Sequence, residues 1–362
     1  VVLQAPTGAG KTTRVPLAIA EAFPKQIIVL QPRRLAARGV AQRMADQTGT
    51  RVGQRIGYHV RFDNKTSSET KIVVMTDGLY LRVLQSNPFL DGVSAVVFDE
   101  FHERNINSDL ALALTRQVQQ ELDTDLKLVV MSATLEPEPI SAYLGGCPTI
   151  VTEGRSFPVE LVYAPYPSTK RIADRCVDAV LNALTTTDDD ILVFLPGVGE
   201  INDAYTSLQH HLRNTTVELS RLHGSLPLHE QQHAIRPIKR QKVVLATNIA
   251  ETSITVPSIR TVIDSGLARV NRLDSTTGFN RLDLEPISQA SATQRAGRAG
   301  RTAPGRCFRL WTEREERARS PHLEPEIHRA DCCDAVLMLL QWGEPDCRLF
   351  NWFESPHPDR LE

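Results

Sequence analysis

The six cysteines of the 362-residue chain form no CxxC pair and no spacing with histidine that suits zinc. A zinc-ribbon scaffold is excluded, and the pattern points to reduced thiols in a cytosolic protein. Long apolar runs are missing as well. Residues 93–98, broken only by Ser94, and residues 336–340 fall far short of the roughly 18 residues that a membrane span needs, so the chain reads as soluble, cytoplasmic and without a membrane partner. Residue 1 is Val, with no initiator Met, basic n-region or signal-peptide pattern, and the expectation is a piece of a longer protein that continues at both ends. No charge excess exists: 41 Lys plus Arg stand against 43 Asp plus Glu, a formal net charge of -2. Any nucleic-acid binding must therefore use local basic patches, not a bulk positive field. Low-complexity sequence is absent beyond Asp188, Asp189 and Asp190, which read as a solvated loop. What remains is globular, with 41% hydrophobic and 23% charged residues. The length predicts two or three domains at roughly 100–200 residues each.

Short apolar runs recur at 1–3, 27–30, 71–75, 95–98 and 127–131, with helically spaced residues between them, such as Leu35, Val40 and Met44. Buried strands that alternate with helices predict a parallel sheet covered on both faces. The pattern restarts after residues 154–158, with runs at 160–163, 191–195, 217–219, 242–246 and 261–263. Two tandem α/β domains follow, joined near residues 153–160. From Pro321 the pattern turns helical, through Val336, Leu337, Leu339 and Leu340, and only part of a third domain is expected.

Three motifs carry chemistry. Ala5-Pro6-Thr7-Gly8-Ala9-Gly10-Lys11-Thr12 lies between a strand and a helix-compatible segment, the context a phosphate-binding loop needs. There the glycines let backbone N–H groups face a polyphosphate, Lys11 reaches the outer phosphates, and the Thr12 hydroxyl can ligate Mg²⁺. Ala5 stands where the strict pattern has its first glycine, and Pro16 predicts a kink in the helix. Asp99-Glu100-Phe101-His102 ends a buried run. Acids at the exit of a parallel strand can hold Mg²⁺ (Asp99) and polarise an attacking water (Glu100). Gln294-Arg295-Ala296-Gly297-Arg298-Ala299-Gly300-Arg301 places arginines three apart on one expected helix face, suited to reach a γ-phosphate.

These motifs, with Gln31-Pro32-Arg33-Arg34, Thr76-Asp77-Gly78, Ser132-Ala133-Thr134, Leu195-Pro196-Gly197 and Thr247-Asn248-Ile249-Ala250-Glu251-Thr252-Ser253, form an ordered set over nearly the whole chain. The set resembles that of the superfamily 2 DEAH-box RNA helicases, and the string DEFHER looks most like the bacterial HrpB-type members. The resemblance implies an α/β fold of two tandem RecA-like domains with parallel sheets, at 1–155 and 156–320, followed at 321–362 by the beginning of a mainly helical winged-helix domain. It implies phosphate binding by Thr7, Gly8, Ala9, Gly10, Lys11, Thr12 and Thr13, and Mg²⁺ at Thr12, Asp99 and Glu100. Catalysis would fall to Asp99, Glu100, Gln294, Arg298 and Arg301. Ser132, Thr134 and His102 would couple hydrolysis to motion, and Ser253 would sense the nucleotide. Arg33, Arg34, Thr76 and Thr247 match positions that contact the RNA backbone. Arg43 fits the arginine that stacks on the base, but Leu267 stands where the family has an aromatic. The substrate is thus ATP, with GTP, CTP and UTP expected to serve comparably.

Two β-capable arms, 269–273 and 279–284, flank the turn chemistry of residues 274–278 and resemble the family's strand-separating hairpin. The function implied is RNA-stimulated ATP hydrolysis that drives 3′ to 5′ movement along single-stranded RNA or an RNA duplex with a 3′ overhang. The alternatives are a DNA-directed helicase of the same superfamily and a nucleotide-gated RNA clamp. Nothing in the sequence specifies a protein activator.

Overall fold

The computed structural model describes all residues except 7, 123–124, 155–156, 252–255, 257, 275 and 362, and all their side chains except that of Asp359. Thr7 and Ser253, two of the expected nucleotide-binding residues, lie outside the described residues. The chain divides into two compact units. One comprises Val1–Gly154, Arg272–Asn280 and Glu324–Glu362, and the other Arg155–Asn271 and Arg281–Leu323.

The first unit is built on β1 (Val2–Gln4), β2 (Gln26–Gln31), β3 (Ile56–Val60), β4 (Asp63–Lys65), β5 (Ile72–Thr76), β6 (Val93–Phe98), β7 (Lys127–Ser132) and β8 (Thr149–Val151). These form one sheet in the order β4-β3-β5-β2-β6-β7-β1-β8, parallel except at the β3–β4 ribbon. Period-two alternation between two covered faces explains why the four residues between Gln26 and Gln31 of β2 are all apolar. Ile27 and Val29 pack into a core with Ala20 of α1 (Lys11–Ala22) and Ala37, Ala41 and Met44 of α2 (Arg34–Thr48). Ile28 and Leu30 pack on the other face with residues of α3 (Asp77–Ser86), α4 (Ile106–Glu121) and α5 (Pro137–Tyr143), among them Tyr80, Leu84, Leu110, Leu114 and Ile140. The α1 helix continues through Pro16 as one element. Having no N–H, Pro16 withholds one hydrogen bond from the first turn.

The second unit carries β9 (Val159–Tyr163), β10 (Asp190–Phe194), β11 (Glu218–Leu222), β12 (Lys242–Ala246), β13 (Ile259–Asp264), the hairpin strands β14 (Leu267–Leu273) and β15 (Asn280–Pro286), and β16 (Gly305–Arg309). Six of these make a parallel sheet in the order β11-β12-β10-β13-β16-β9. Its helices are α6 (Ile172–Leu184), α7 (Val198–His211), α8 (Leu228–Ile235), α9 (Gln289–Ala296) and α10 (Glu313–Arg317). Cys176, Val180, Ile201 and Leu208 bury the inner faces of α6 and α7 against Ile191, Val193 and Val243 of the sheet. The expected hairpin is present. Its turn closes with Asp274 N–H donating to the Phe279 carbonyl at 3.0 Å and Gly278 N–H to the Asp274 carbonyl at 2.8 Å, with Gly278 at φ 72°.

The C-terminal stretch, with α11 (Glu326–Arg329) and α12 (Cys333–Trp342), packs onto the first unit. Ile327, Leu339, Phe350 and Trp352 join the α3/α4 core. The Glu326 N–H donates to the Arg104 carbonyl at 3.0 Å, and the Tyr143 hydroxyl to the Asn351 carbonyl at 2.7 Å. The far end of the hairpin groups with the same unit, where Arg272 pairs with Glu324 at 3.1 Å and Asn280 Oδ1 accepts from Asp331 N–H at 2.9 Å.

Candidate nucleotide site and nucleic-acid groove

Parallel strands of the first unit deliver the expected residues to one edge. Read across β5, β2, β6, β7 and β1, the carboxyl ends carry in turn Thr76, Gln31, Asp99 with Glu100, Ser132, and the phosphate loop. This is the edge at which open α/β sheets bind ligands. Gly8 and Gly10 adopt φ 93° and 85°, a region where a Cβ would be strained, and Gly10 caps α1 so that Lys11 is its first residue. Ala5 is not among the positive-φ residues, and its N–H donates to the Ser132 carbonyl at 3.0 Å, so the missing glycine costs the loop nothing. The Thr13 hydroxyl donates back to the Gly10 carbonyl at 3.4 Å and rigidifies the turn.

Lys11, Asp99 and Glu100 are buried together. Gln31 Nε2 donates to Asp99 Oδ2 at 2.6 Å, and the Glu100 N–H to Asp99 Oδ1 at 3.0 Å. Lys11 Nζ stands 4.0 Å from Glu100 Oε1. Burial, reinforced by the neighbouring Glu100, pushes the Asp99 carboxyl up to about 6, while Lys11, Thr12 and Gln31 pull it down. Glu100 has φ 54°, an uncommon left-handed conformation for a glutamate, which turns its side chain off the strand direction. His102 links this turn to the β7 loop. Its Nδ1 accepts from Ala133 N–H at 3.3 Å, leaving the proton for Nε2, which faces Glu100 Oε2 at 3.5 Å. Ser132 Oγ accepts from the N–H groups of Thr134 at 3.3 Å and Leu135 at 3.0 Å, so this buried serine shapes the turn after β7. Arg43 stands exposed on α2.

In the second unit the arginine motif departs from the expected single helix face. Helix α9 ends at Ala296, and the chain continues in three-residue turns, with Arg298 N–H donating to the Arg295 carbonyl at 3.1 Å and Gly300 N–H to that of Gly297 at 3.3 Å. The glycine is required, because a Cβ on Gly300 would lie 2.5 Å from the Phe157 carbonyl oxygen. Arg295 points inward, 1% exposed, and pairs with Glu251 at 2.8 Å and Asp264 at 2.9 Å above the Phe194 ring. Arg298 is also buried and donates to the Glu251 carbonyl. Gln294 is buried, and Arg301 is half-buried. Thr247 follows β12, its N–H committed to the Leu222 carbonyl at 3.2 Å. The sequence motif alone did not separate the structural Arg295 from its neighbours.

Arg33, Arg34 and Thr76 do come together, in an open groove of about 690 Å³ on the first unit. The groove also takes in Arg82 and the tip of the β3–β4 ribbon, where Arg61 lies 4.7 Å over the ring of Phe62. Phe62 is 88% exposed at φ 67°. Neither tip residue was expected, although an adjacent Arg-Phe pair is the basic and aromatic combination that single strands favour. At the groove floor Asp77 accepts hydrogen bonds from the Ser108 hydroxyl at 2.7 Å and Asn105 Nδ2 at 3.2 Å. Burial nonetheless pushes its carboxyl up to about 6 from 3.8. Between those values the folded protein holds a proton that the unfolded chain has released, so the carboxylate's cost appears as pH rises through that window. Asp77→Asn should therefore gain stability relative to the parent between pH 4.5 and pH 7, by at most about 3 kcal/mol. Melting curves that stay a constant distance apart over this range would contradict the assignment.

A phosphate loop with an acidic pair two strands away, in one RecA-like sheet followed by a second, defines a P-loop protein of two RecA-like units. Residues 1–142 match the DEAD/DEAH box helicase family, and residues 174–303 match the helicase conserved C-terminal domain. The chain is 45% identical to the ATP-dependent RNA helicase HrpB of Escherichia coli K12 over 98% of its own length and 44% of that protein. It is 39% identical to the probable ATP-dependent RNA helicase DHR2 of Saccharomyces cerevisiae, over 99% of its length and 51% of that protein. The crystal structure of the E. coli DEAH/RHA helicase HrpB superposes with a TM-score of 0.92 at 44% identity, covering all of this chain and 46% of that one. The chain belongs to the DEAH-box helicases of superfamily 2, of the HrpB type. It spans about half the length of these relatives.

Proposed function

We propose that this chain is the ATP-hydrolysing core of a helicase that moves 3′ to 5′ along RNA and separates or remodels RNA duplexes. The observation that carries the reading is the single carboxyl edge of the first sheet, which bears the RNA-side residues Thr76 and Arg33 and the ATP-side residues Asp99, Glu100 and Lys11 on adjoining strand ends. A groove and a hydrolytic centre built on one rigid edge can sense each other.

The donor set suits magnesium. The Thr12 hydroxyl hydrogen-bonds the buried Asp99 carboxyl, giving hard oxygen ligands with room for phosphate oxygens. Thr12 and Asp99 would hold the magnesium ion, with Glu100 beside them, and the ion would neutralise charge on the β- and γ-phosphates. Lys11 and the loop N–H groups bind the phosphates, and Glu100 orients and deprotonates the attacking water. His102 fixes the Glu100 carboxylate and ties it to the Ser132–Thr134 turn, through which hydrolysis is relayed. Gln294, Arg298 and Arg301 complete the catalytic set, Gln294 as a neutral hydrogen-bonding amide and the two guanidinium charges by stabilising the transition state, and Thr247 contacts the RNA backbone. With Leu267 in place of an aromatic, base selection is loose, and other nucleoside triphosphates serve as substrates.

Among the described residues no helix is long and apolar enough to cross a membrane. The partner is single-stranded RNA, or a duplex with a 3′ overhang, in the cytoplasm. The hairpin of β14 and β15 acts as the wedge. Replacing residues 274–278 with a shorter turn in the full-length protein should preserve RNA-stimulated ATPase while duplex separation falls. Unchanged unwinding, or parallel loss of ATPase, would make the hairpin a brace.

A further inference from the structure

Arg33, a proposed RNA contact, is already engaged by an anion of the protein itself. Its Nη2 lies 3.1 Å from Glu103 Oε2, and both side chains remain about one-fifth exposed, at 21% and 17%, in the wall of the groove. Apart from Asp77 on the floor, the charged residues that line the groove beside Glu103 are arginines, among them Arg34, Arg61 and Arg82, and a carboxylate in its wall opposes phosphate binding, so its presence needs another reason. Its position supplies one. Glu103 ends the single helical turn Phe101–Glu103, and that turn is bracketed by Glu100 at φ 54° and Arg104 at φ 45°. Four non-glycine residues have positive φ among the described residues, and two of them are this pair. Such conformations are strained for residues with a Cβ and persist only where their surroundings hold them.

The far side of the turn is fixed. Arg104 pairs with Asp109 at 2.9 Å and with Glu354 at 2.7 Å, and Phe101 is buried against Phe98. The near side is Glu100 itself. The Arg33–Glu103 pair thus fastens the catalytic turn to the groove wall by an interaction that an RNA phosphate can replace, since one oxyanion substitutes for another at the guanidinium.

We infer that Glu103 is an internal stand-in for RNA phosphate at Arg33, and that its displacement by RNA releases a brake on the turn carrying Glu100. The inference rests on the reading of the site as an RNA-stimulated ATPase. In the groove the pair has two arrangements, Arg33 with Glu103 or Arg33 with phosphate, which is the two-state element that coupling requires.

The test uses the full-length protein, with steady-state ATPase measured without RNA and at saturating single-stranded oligouridylate, and oligouridylate affinity measured separately. Glu103→Gln should raise the RNA-free rate about five-fold or more, the lower end of ordinary coupling between sites, and should tighten oligouridylate binding. Arg33→Ala should raise the RNA-free rate in the same direction while weakening binding. A shared sign in rate with opposite signs in affinity cannot come from a folding defect, which lowers both. Glu103→Asp, which keeps the charge, should stay near the parent. RNA-free rates at or below the parent's in both variants, with the parent still stimulated by RNA, would overturn the brake. A rise in Glu103→Gln alone would overturn the exchange by assigning the effect to the carboxylate and not to the pair. A parent indifferent to oligouridylate would overturn the underlying reading, and this inference with it.

Discussion

Glu100→Gln is expected to lower ATP turnover by about 10²–10⁴-fold, the range that a positioned general base supplies, while nucleotide affinity stays near the parent's. The carboxylate is buried, held between Lys11 and His102, and belongs to the turn after β6 and not to the phosphate loop. The glutamine amide keeps the size and hydrogen-bonding capacity of the side chain and loses the capacity to accept a proton. Lys11→Ala should abolish turnover too, but with a large loss of nucleotide binding, as expected if Lys11 is the charge that meets the outer phosphates. That substitution also leaves Glu100 buried without its cation, so its melting temperature should be recorded alongside. Equal binding losses in both variants would contradict the division of roles.

The second large effect lies in the arginine arm. Arg298→Ala or Arg301→Ala should reduce kcat by on the order of 10³-fold or more with little change in ATP affinity, as expected of guanidinium groups that act on the transition state. Arg295→Ala serves as the structural comparison. It removes the cation from between Glu251 and Asp264, which is expected to cost about 3–5 kcal/mol of stability. Loss of turnover in Arg301→Ala at an unchanged melting temperature, against loss of stability in Arg295→Ala, separates the two jobs of one motif. Near-parental turnover in both Arg298→Ala and Arg301→Ala would leave the motif purely structural.

Much of this was legible beforehand because parallel sheets announce themselves locally. Ten apolar runs in the sequence correspond to β1, β2, β5, β6, β7 and β9 to β13, and every motif except the arginine motif, which runs off the end of α9, sits at the end of one of them. What escaped notice lacks a local signal. β3 carries His59 and Gly57, β4 is Asp63-Asn64-Lys65, and β16 has only Cys307 and Phe308 between Arg306 and Arg309, so none reads as an apolar run. Strand β8 is three exposed residues held by register with β1. The packing of Ile327, Leu339 and Trp352 against α3 and α4 is a contact across more than two hundred residues, invisible to periodicity. The same holds for Arg295. Three arginines in one motif look alike in sequence, two of them are buried, and it is the ion pair with Asp264, contributed by β13, that sets Arg295 apart from Arg298. The pairing of Arg33 with Glu103 likewise depends on β2 and β6 being neighbours in the sheet.

The most direct measurement is steady-state ATP hydrolysis by the full-length protein with and without single-stranded RNA, with DNA of the same length and sequence as the comparison. The account predicts a marked rise in kcat with RNA and a smaller one with DNA. A rate unaffected by RNA, or raised by DNA and not by RNA, would contradict it.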